Sequence, residues 1–341
     1  MTPDYQVLLG GEGGVDITGR FSGRNVEITV VDATGTESDS AEFTIFDPAA
    51  EVEPPRRGAV LGVLLGYRET GLALVGVFKV DEVKLTGYPH KIVISAKSAD
   101  NKETLKERRT KAYNDKTFGQ IVAEVAGRHG LKPSVAGALA QVRFPTFSSP
   151  AEGYVGQQEE SDIAFVGRLA ERLGAFVALK NGRLVAVPKG EGQSVSGTTG
   201  VVTITPDKLI GNDAYEVSWK DKPVHGRVEA SYFDRGKVVR DPVIVGDGEG
   251  AAVFRFREPF PHKDQARAAA DAKSRELARA EGSATFHCWG DTSIRAEMSA
   301  LAAGIRPAVD GLWSIARVEH VISKDFTTKV ECETKPKKKG S

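Results

Sequence analysis

The residues of this chain whose types and spacing could do chemistry lie together in Glu159-Glu160-Ser161. A pair of carboxylates is what glycosidases use as acid and base, and a serine hydroxyl can serve as a nucleophile. Ser161 does not lie in a G-x-S-x-G elbow, however, and acidic residues just ahead of a helix usually complement the helix dipole. We therefore interpret this triplet as the beginning of a helix and predict no catalytic residue in it.

Metal and phosphate chemistry have even less support in the sequence. The Gly-rich run 10–14 lacks the Gly-Lys-Ser/Thr ending of a phosphate-binding loop, so we interpret it as a turn. His287 and Cys288 would face opposite sides of a strand, which disfavours joint coordination of a metal. No two histidines have metal-ligand spacing on a helix; the six are His90, His129, His225, His262, His287 and His320. We predict no cofactor and no metal.

The composition is that of an ordinary globular protein, and it argues against some classes of function. Of 341 residues, 40% are hydrophobic and 27% are charged, and Lys plus Arg and Asp plus Glu both total 46. Formal neutrality argues against a dedicated nucleic-acid binder. The two cysteines, Cys288 and Cys332, have neither a disulfide-framework nor a zinc-site spacing, which predicts a reducing compartment.

Neither the first residues nor the apolar stretches indicate export or membrane insertion. The chain does not begin with a basic region followed by a long apolar one, so we expect no signal peptide. The longest apolar stretch, Ala59 to Leu65, is interrupted by Gly62 and is too short to cross a bilayer. We predict a soluble protein that is made in a cytoplasm and has no membrane-spanning segment.

Alternating apolar residues predict short strands over the first hundred residues. Val26, Ile28 and Val30 place apolar side chains on one face of a strand, and turns rich in Asp, Pro and Gly separate the strands. The predicted strands are 6–9, 25–31, 42–46, 59–66, 72–83 and 91–96. Short strands with regular turns predict a first β-barrel-like domain over 1–100.

A middle α+β domain with two helices and a hairpin is predicted over 101–190. Thr117 and Gln120 match a capping box at the beginning of the first helix. The highly charged run 101–115, which precedes this helix, is either a solvated loop or exposed helix, or a contact with nucleic acid or a partner.

The second predicted helix has a local signal at each end. Ser161 can accept a hydrogen bond from an unpaired backbone N–H of the first turn, and Asp162 suits the positive end of the helix dipole. Gly174 supplies the left-handed residue that ends the helix. The pair Asn181-Gly182 then favours a type I′ turn between two strands.

Strand signals return after a small, polar linker near 190–200. They predict a second β-barrel-like domain over 191–334, with one helix near 264–281, and a basic disordered tail over 335–341. The predicted fold class is therefore α+β, mainly β, with two β-barrel-like domains flanking a helix-containing middle domain. Lys337, Lys338 and Lys339 could contact a partner or DNA, or simply be disordered.

Five motifs in order resemble the late control D family of phage tail proteins. They are an apolar strand ending in Gly-Tyr at 58–67, a G-x-F-x-V-D-E-V strand at 76–83, the strand at 94–100, and the helices that begin near 117 and 161. The match covers about 40–190 well and the remainder only in general layout. We predict a structural role for the motif residues, which are Gly76, Phe78, Val80, Asp81, Ser161, Asp162, Phe165 and Leu169.

The resemblance implies a baseplate hub of a contractile tail or a related injection device, similar to the hub portion of VgrG spike proteins. Such hubs are homotrimers of subunits with two similar barrels, and the ring adapts a hexameric tail tube to a trimeric spike and lines a channel. The implied partners are further copies of this chain, a tail tube protein, a separate spike protein, and wedge or tape-measure proteins, with DNA only in transit. The implied location is the tail baseplate of a virion, assembled in the host bacterial cytoplasm.

Two other classes of function stay open. A tail-associated peptidoglycan hydrolase could use an acid such as Glu160, and a receptor- or carbohydrate-binding tail module would suit the β-rich ends. The resemblance favours a structural protein over an enzyme. Because no OB-like domain or repetitive β-helix follows the second β-rich region, we expect the spike to be a separate polypeptide.

Overall fold

Strands dominate the protein. The computed structural model describes residues 1–34, 38–99, 103–143, 155–180, 183–188, 200–219, 227–234, 239–246, 252–257, 259–260, 263–279 and 282–334. The strands are β1 (Pro3–Leu9), β2 (Val15–Asp16), β3 (Asn25–Ala33), β4 (Ser40–Phe46), β5 (Val60–Tyr67), β6 (Gly71–Thr86), β7 (Lys91–Ser98), β8 (Arg108–Tyr113), β9 (Lys132–Val135), β10 (Val155–Ser161), β11 (Ala175–Lys180), β12 (Arg183–Pro188), β13 (Val201–Ile204), β14 (Tyr215–Trp219), β15 (Arg227–Asp234), β16 (Val239–Val245), β17 (Val253–Arg255), β18 (Gly282–Trp289), β19 (Ser299–Ala302), β20 (Gly311–Ile322) and β21 (Phe326–Thr334).

The helices are few. They are α1 (Phe118–Arg128), α2 (Gly137–Ala140), α3 (Asp162–Arg172) and α4 (Lys263–Arg279), with short 3-10 turns at Thr18–Phe21, Glu103–Lys106 and Pro206–Lys208. The prediction of a mainly β, α+β fold is confirmed. No helix in the described part of the chain is long and apolar enough to cross a membrane.

The chain folds into two compact units, each assembled from separate parts of the sequence. The first comprises Met1–Asn101, Thr199–Val217 and Ala284–Cys332, and the second comprises Lys102–Thr198, Ser218–Ser283 and Glu333–Ser341. The three consecutive domains predicted from the sequence differ from this division, although both have a boundary near residue 100. The difference arises because β20 pairs with β3, which joins strands of the predicted first and last domains in one sheet.

The first unit is built on one sheet. Its order is β14-β18-β21-β20-β3-β4-β7-β6-β5-β1-β2, and β19 pairs with both β20 and β13 off this path. The path has two open ends among the described strands, so these strands do not close into the two separate barrels that the sequence predicted. The physical reason is the length of β20, whose first residues pair with β19 and whose last residues pair with β3.

Two hydrophobic cores lie on this sheet, one in each β-rich half. The core of the N-terminal half includes Phe43, Leu65 and Phe78, and Phe326 of β21 joins it. The Tyr67 ring lies 5.5 Å from the Phe326 ring, so the sheet curls and brings β5 against β21. The second core includes Phe286, Trp313, Ile315 and Val330. Each such side chain, when fully buried, contributes about 1.5–3 kcal/mol.

Buried polar contacts link the two halves of the first unit. Arg295 donates hydrogen bonds to the carbonyl oxygens of Val75 and Leu74 over 2.9 and 3.1 Å. The next residue, Ala296, donates its N–H to a carboxylate oxygen of Asp32 over 3.1 Å. The segment between β18 and β19 is thereby held against β3 and β6, which supports the shared sheet.

His320 is fully buried on β20 in the same region. Its Nδ1 lies 2.9 Å from the Thr328 hydroxyl. Burial and, to a smaller extent, the Arg295 charge lower the pKa of His320 to about 4, although the Asp32 charge opposes the shift. The imidazole is therefore neutral in the folded protein at neutral pH.

We expect the first unit to lose stability as the pH falls through this window. The unfolded chain has a His320 pKa near 6.5, so the unfolded state binds the extra proton between pH 6.5 and 4. One pKa unit corresponds to about 1.4 kcal/mol, so His320 should lower the free energy of unfolding by about 2 kcal/mol when the pH falls from 7.5 to 5. Urea unfolding at the two pH values should show that the free energy of unfolding falls by about 2 kcal/mol less for His320→Asn than for the wild type. His287→Asn, at an exposed position of β18, is the matched substitution control, and an unchanged slope for His320→Asn would contradict the assignment.

The second unit combines three small sheets with the helices. The sheets are β10-β8, β11-β12-β9 and β16-β15-β17. The capping box of α1 is present, since Thr117 Oγ1 accepts from the Gln120 N–H and the Gln120 side chain accepts from the Thr117 N–H. The helices predicted near 117, 161 and 264 are confirmed, whereas the predicted turn at 181–182 lies outside the described residues.

One prediction about the second unit is wrong. Within the run 101–115, residues 108–113 form the strand β8, which pairs with β10, where a loop or a helix was predicted. Leu105 and Tyr113, which flank the charged residues, are fully buried and anchor the run to the core. The Gly-rich run 10–14, in contrast, is the predicted turn, in which the Gly14 N–H donates to the Gly11 carbonyl.

Candidate functional site

The first group of motif residues lies on β6 in the first unit. Phe78 and Val80 are almost completely buried. The Phe78 ring covers Gly76 so closely that a Cβ added to Gly76 would lie 2.5 Å from its Cζ. Asp81 lies in the bulge where the pairing of β6 with β7 shifts by one residue, and it forms an exposed 2.7 Å ion pair with Lys97. These contacts form a strand and its packing, and they hold no ligand-binding geometry.

The second group lies at the beginning of α3. Ser161 Oγ accepts a hydrogen bond from the Ala164 N–H over 3.3 Å, so the predicted cap is present. Phe165 and Leu169 are fully buried, and the Phe165 ring stacks on Tyr113 with 4.9 Å between centroids. The serine hydroxyl therefore completes the helix terminus and has no base beside it in the described contacts.

Asp162 is the centre of a buried polar cluster that the sequence did not reveal. It is fully buried, and it lies in the first turn of α3, where its charge suits the helix dipole as predicted. Its Oδ2 lies 2.8 Å from His129 Nε2, and its Oδ1 accepts from Gln157 Nε2 over 2.7 Å. The guanidinium groups of Arg109 and Arg128 lie 3.4 and 3.3 Å from Oδ1. One carboxylate thus holds together groups from β8, β10, α3 and the end of α1.

Two further groups extend this cluster toward the surface. The Tyr113 hydroxyl accepts from Arg128 and lies 3.4 Å from Gln157 Oε1. Burial raises the pKa of Tyr113, although the Arg128 charge opposes the shift. Burial also raises the pKa of Glu124, but the ammonium groups of Lys111 and Lys116 outweigh it and hold the pKa below its ordinary value.

The chemistry of the Asp162 cluster is that of a structural clamp. A buried carboxylate is costly unless cations and hydrogen-bond donors surround it, and here they do. The described part of the cluster has no nucleophile aimed at an open cleft. The described residues also contain no group of three or more His, Cys, Asp or Glu side chains that could hold a metal ion.

The acids that suggested catalysis are engaged separately. Glu160 pairs with Arg168 over 3.0 Å, and Glu159 accepts a hydrogen bond from the Thr110 hydroxyl over 3.0 Å. Glu159 has a φ of +48° in the bulge of β10, which turns the two side chains toward different partners. This arrangement gives no support to a shared catalytic site.

The remaining candidates do not form a site in the described residues. His287 is exposed and Cys288 is buried, as alternation on a strand predicts. Burial raises the pKa of the Cys288 thiol to about 11, which disfavours the reactive thiolate. Lys337, Lys338 and Lys339 lie outside the described residues.

Comparison with known sequences identifies relatives over almost the whole chain. The family model described as "Phage tail baseplate hub (GPD)" matches residues 78–326. The probable baseplate hub protein of Escherichia phage P2 is 32% identical over 98% of this chain and 94% of its own length. The matched range begins at Phe78 on β6 and includes the Asp162 cluster.

Solved structures share the fold at low sequence identity. A tail protein from Neisseria meningitidis MC58 superposes with a TM-score of 0.69 at 10% identity, covering 98% of this chain and 97% of that one. An E. coli component of the type VI secretion system, described as structurally similar to phage T4 tail proteins, has a TM-score of 0.52 at 14% identity. It covers 97% of this chain and 79% of that one.

Proposed function

The chain belongs to the phage tail baseplate hub family, and we propose that it acts there as a ring-forming structural adaptor. It is a hub protein of a contractile phage tail and is located in the baseplate of the virion. The observation that carries this conclusion is the match over 98% of the chain to the phage P2 hub protein at 32% identity. The family match over 78–326 supports it independently.

We propose that the ring is a homotrimer that lies between a hexameric tail tube and a trimeric spike and lines the channel for DNA. A cyclic trimer needs head-to-tail interfaces that close on rotation. An obligate ring of this kind should bury more than about 2,000 Å² at each interface. The partners are the tail tube protein, a separate spike polypeptide, and neighbouring wedge or tape-measure proteins.

A structural rather than an enzymatic role agrees with the chemistry of the motif residues. Ser161 caps a helix, Asp162 is buried among cations, and Glu160 is paired with Arg168. Glu160, the acid considered for a peptidoglycan hydrolase, is thus engaged in an ion pair within the fold. We therefore propose that the hub works through shape and interface area.

We expect the full chain to form a trimer of three times 36.5 kDa in solution or on assembly. Native mass spectrometry of the purified chain and electron microscopy of purified tails measure this directly. The ring should lie at the end of the tail tube, and tails produced without the chain should lack it. A stable monomer at micromolar concentration, together with tails that contain no such ring, would contradict the proposal.

A further inference from the structure

An apolar pocket opens in the first unit beside the 3-10 turn Thr18–Phe21. Its volume is about 230 Å³. Its floor consists of core side chains that are otherwise nearly fully buried, namely Val7, Phe43, Leu61 and Ile94. Pockets for drug-sized ligands and cofactors are larger, at about 300–1,000 Å³. The pocket is therefore sized for one or two apolar side chains.

The rim of the pocket carries cationic groups without an acidic partner. Arg20 and Arg56 line it, together with the single acid Glu53. Both guanidinium groups are exposed, and neither forms an ion pair with any residue that the structure describes. Nearby Arg24 differs, because it pairs with Asp47 and Glu51 over 2.9 and 2.8 Å. Arg20 and Arg56 are thus available for an anion from outside the chain.

One exposed apolar side chain lies on the rim of the pocket, and another lies elsewhere on the same face of the sheet. Leu9 lies on the rim and is 38% exposed. Leu85 is 64% exposed and lies opposite Ile92, on the same face of the sheet as the pocket residue Ile94. An exposed apolar surface next to a pocket is typical of a protein interaction site.

We propose that this pocket binds an extended segment of another tail polypeptide, which inserts an apolar side chain and places a carboxylate against Arg20 and Arg56. Arginine binds a carboxylate with paired, charge-assisted hydrogen bonds, which would fix the register of the segment. The inference rests on the proposed hub function, since only the assembly supplies such a segment. The chain's own last residues, KPKKKGS, are basic and would be repelled by the two arginines.

The test uses full-length hub in purified tails, with a photo-crosslinking amino acid in place of Leu9. We expect a crosslink to a different tail polypeptide, at a segment with an Asp or Glu within a few residues of the crosslinked apolar residue. The same amino acid in place of the exposed Val201, which lies on β13 and does not line the pocket, is the positional control.

Charge reversal then tests the carboxylate. Arg20→Glu with Arg56→Glu should reduce the crosslink at least ten-fold, whereas Arg57→Glu, an adjacent exposed arginine outside the pocket, should not. Changing the acid of the captured segment to Arg should restore the crosslink to the doubly reversed hub. Thermal unfolding of the double variant, which should match the wild type, checks that the loss is not caused by misfolding.

Several results would overturn the inference. They are a crosslink to a second copy of this chain, a captured segment without an acid, no response to charge reversal, or no more capture from Leu9 than from Val201. Any of these in tails that contain the hub ring leaves the proposed function intact. Absence of the wild-type chain from the tails would overturn the proposed function and this inference together.

Discussion

Replacing Asp162 with Asn is expected to destabilise the second unit by about 3–5 kcal/mol, which is the usual cost of removing one partner from a buried ion pair. The carboxylate is fully buried, and the charges of Arg109 and Arg128 lie 3.4 and 3.3 Å from its Oδ1. An amide of the same size keeps the volume but removes the negative charge. The two guanidinium groups would then face each other with no counter-charge on that side.

Hydrogen exchange of α1 and α3, together with urea unfolding, measures this effect. Exchange should accelerate in α1, α3 and β8, which the cluster joins, while β3 and β4 of the first unit should keep wild-type protection. Glu171→Gln makes the same change of charge at an exposed position of α3 and should alter stability by less than about 0.5 kcal/mol. If Asp162→Asn behaved like Glu171→Gln, the cluster would not be the clamp that its geometry indicates.

Asp162 also shows what the sequence could and could not predict. The local signals around it were sufficient to predict α3, because Ser161 and the apolar spacing that follows act within one helix. The surroundings of Asp162 depend on Arg109, whose strand was not predicted. That strand is stabilised mainly by pairing with β10 some fifty residues later, and its own composition favours a solvated segment. Local chemistry therefore predicted the helix but not the burial of its first acid.

The first unit illustrates the same limit at the level of the sheet. Strands were predicted around Val26 and Ile94, and the first of them was recognised from its alternation. Alternation identifies which face of a strand is buried, but it does not specify the neighbouring strand. The pairing of β20 with β3 joins residues almost three hundred positions apart. The two β-rich ends of the sequence therefore predicted two barrels, although their strands pair within one sheet.

Replacing Gly174 with Ala should destabilise the second unit by an amount similar to that expected for Asp162→Asn, for a different physical reason. Gly174 ends α3 with a φ of +64°, and a Cβ at this position would lie 2.2 Å from the Ala272 Cβ and 2.8 Å from the Ala272 Cα of α4. Gly174→Ala therefore combines backbone strain with a clash against another helix. We expect the free energy of unfolding to fall by about 2–5 kcal/mol, since a left-handed non-glycine residue costs about 1–2 kcal/mol and overpacking costs about 1–3 kcal/mol.

A control and a compensating variant separate the two causes. Gly304 has a φ of +73°, and no atom lies within 4 Å of the position that a Cβ would occupy there, so Gly304→Ala should show the backbone cost alone. Ala272→Gly removes the nearest clashing atom, so the double variant should be less destabilised than the sum of its single changes by about 1 kcal/mol or more. The sequence predicted Gly174 from the helix that it ends. Gly174 also marks the point where α3 approaches α4, and the sequence could not predict this because Ala272 lies almost a hundred positions later. If the effects of Gly174→Ala and Ala272→Gly were strictly additive, the approach of the two helices would not constrain the fold.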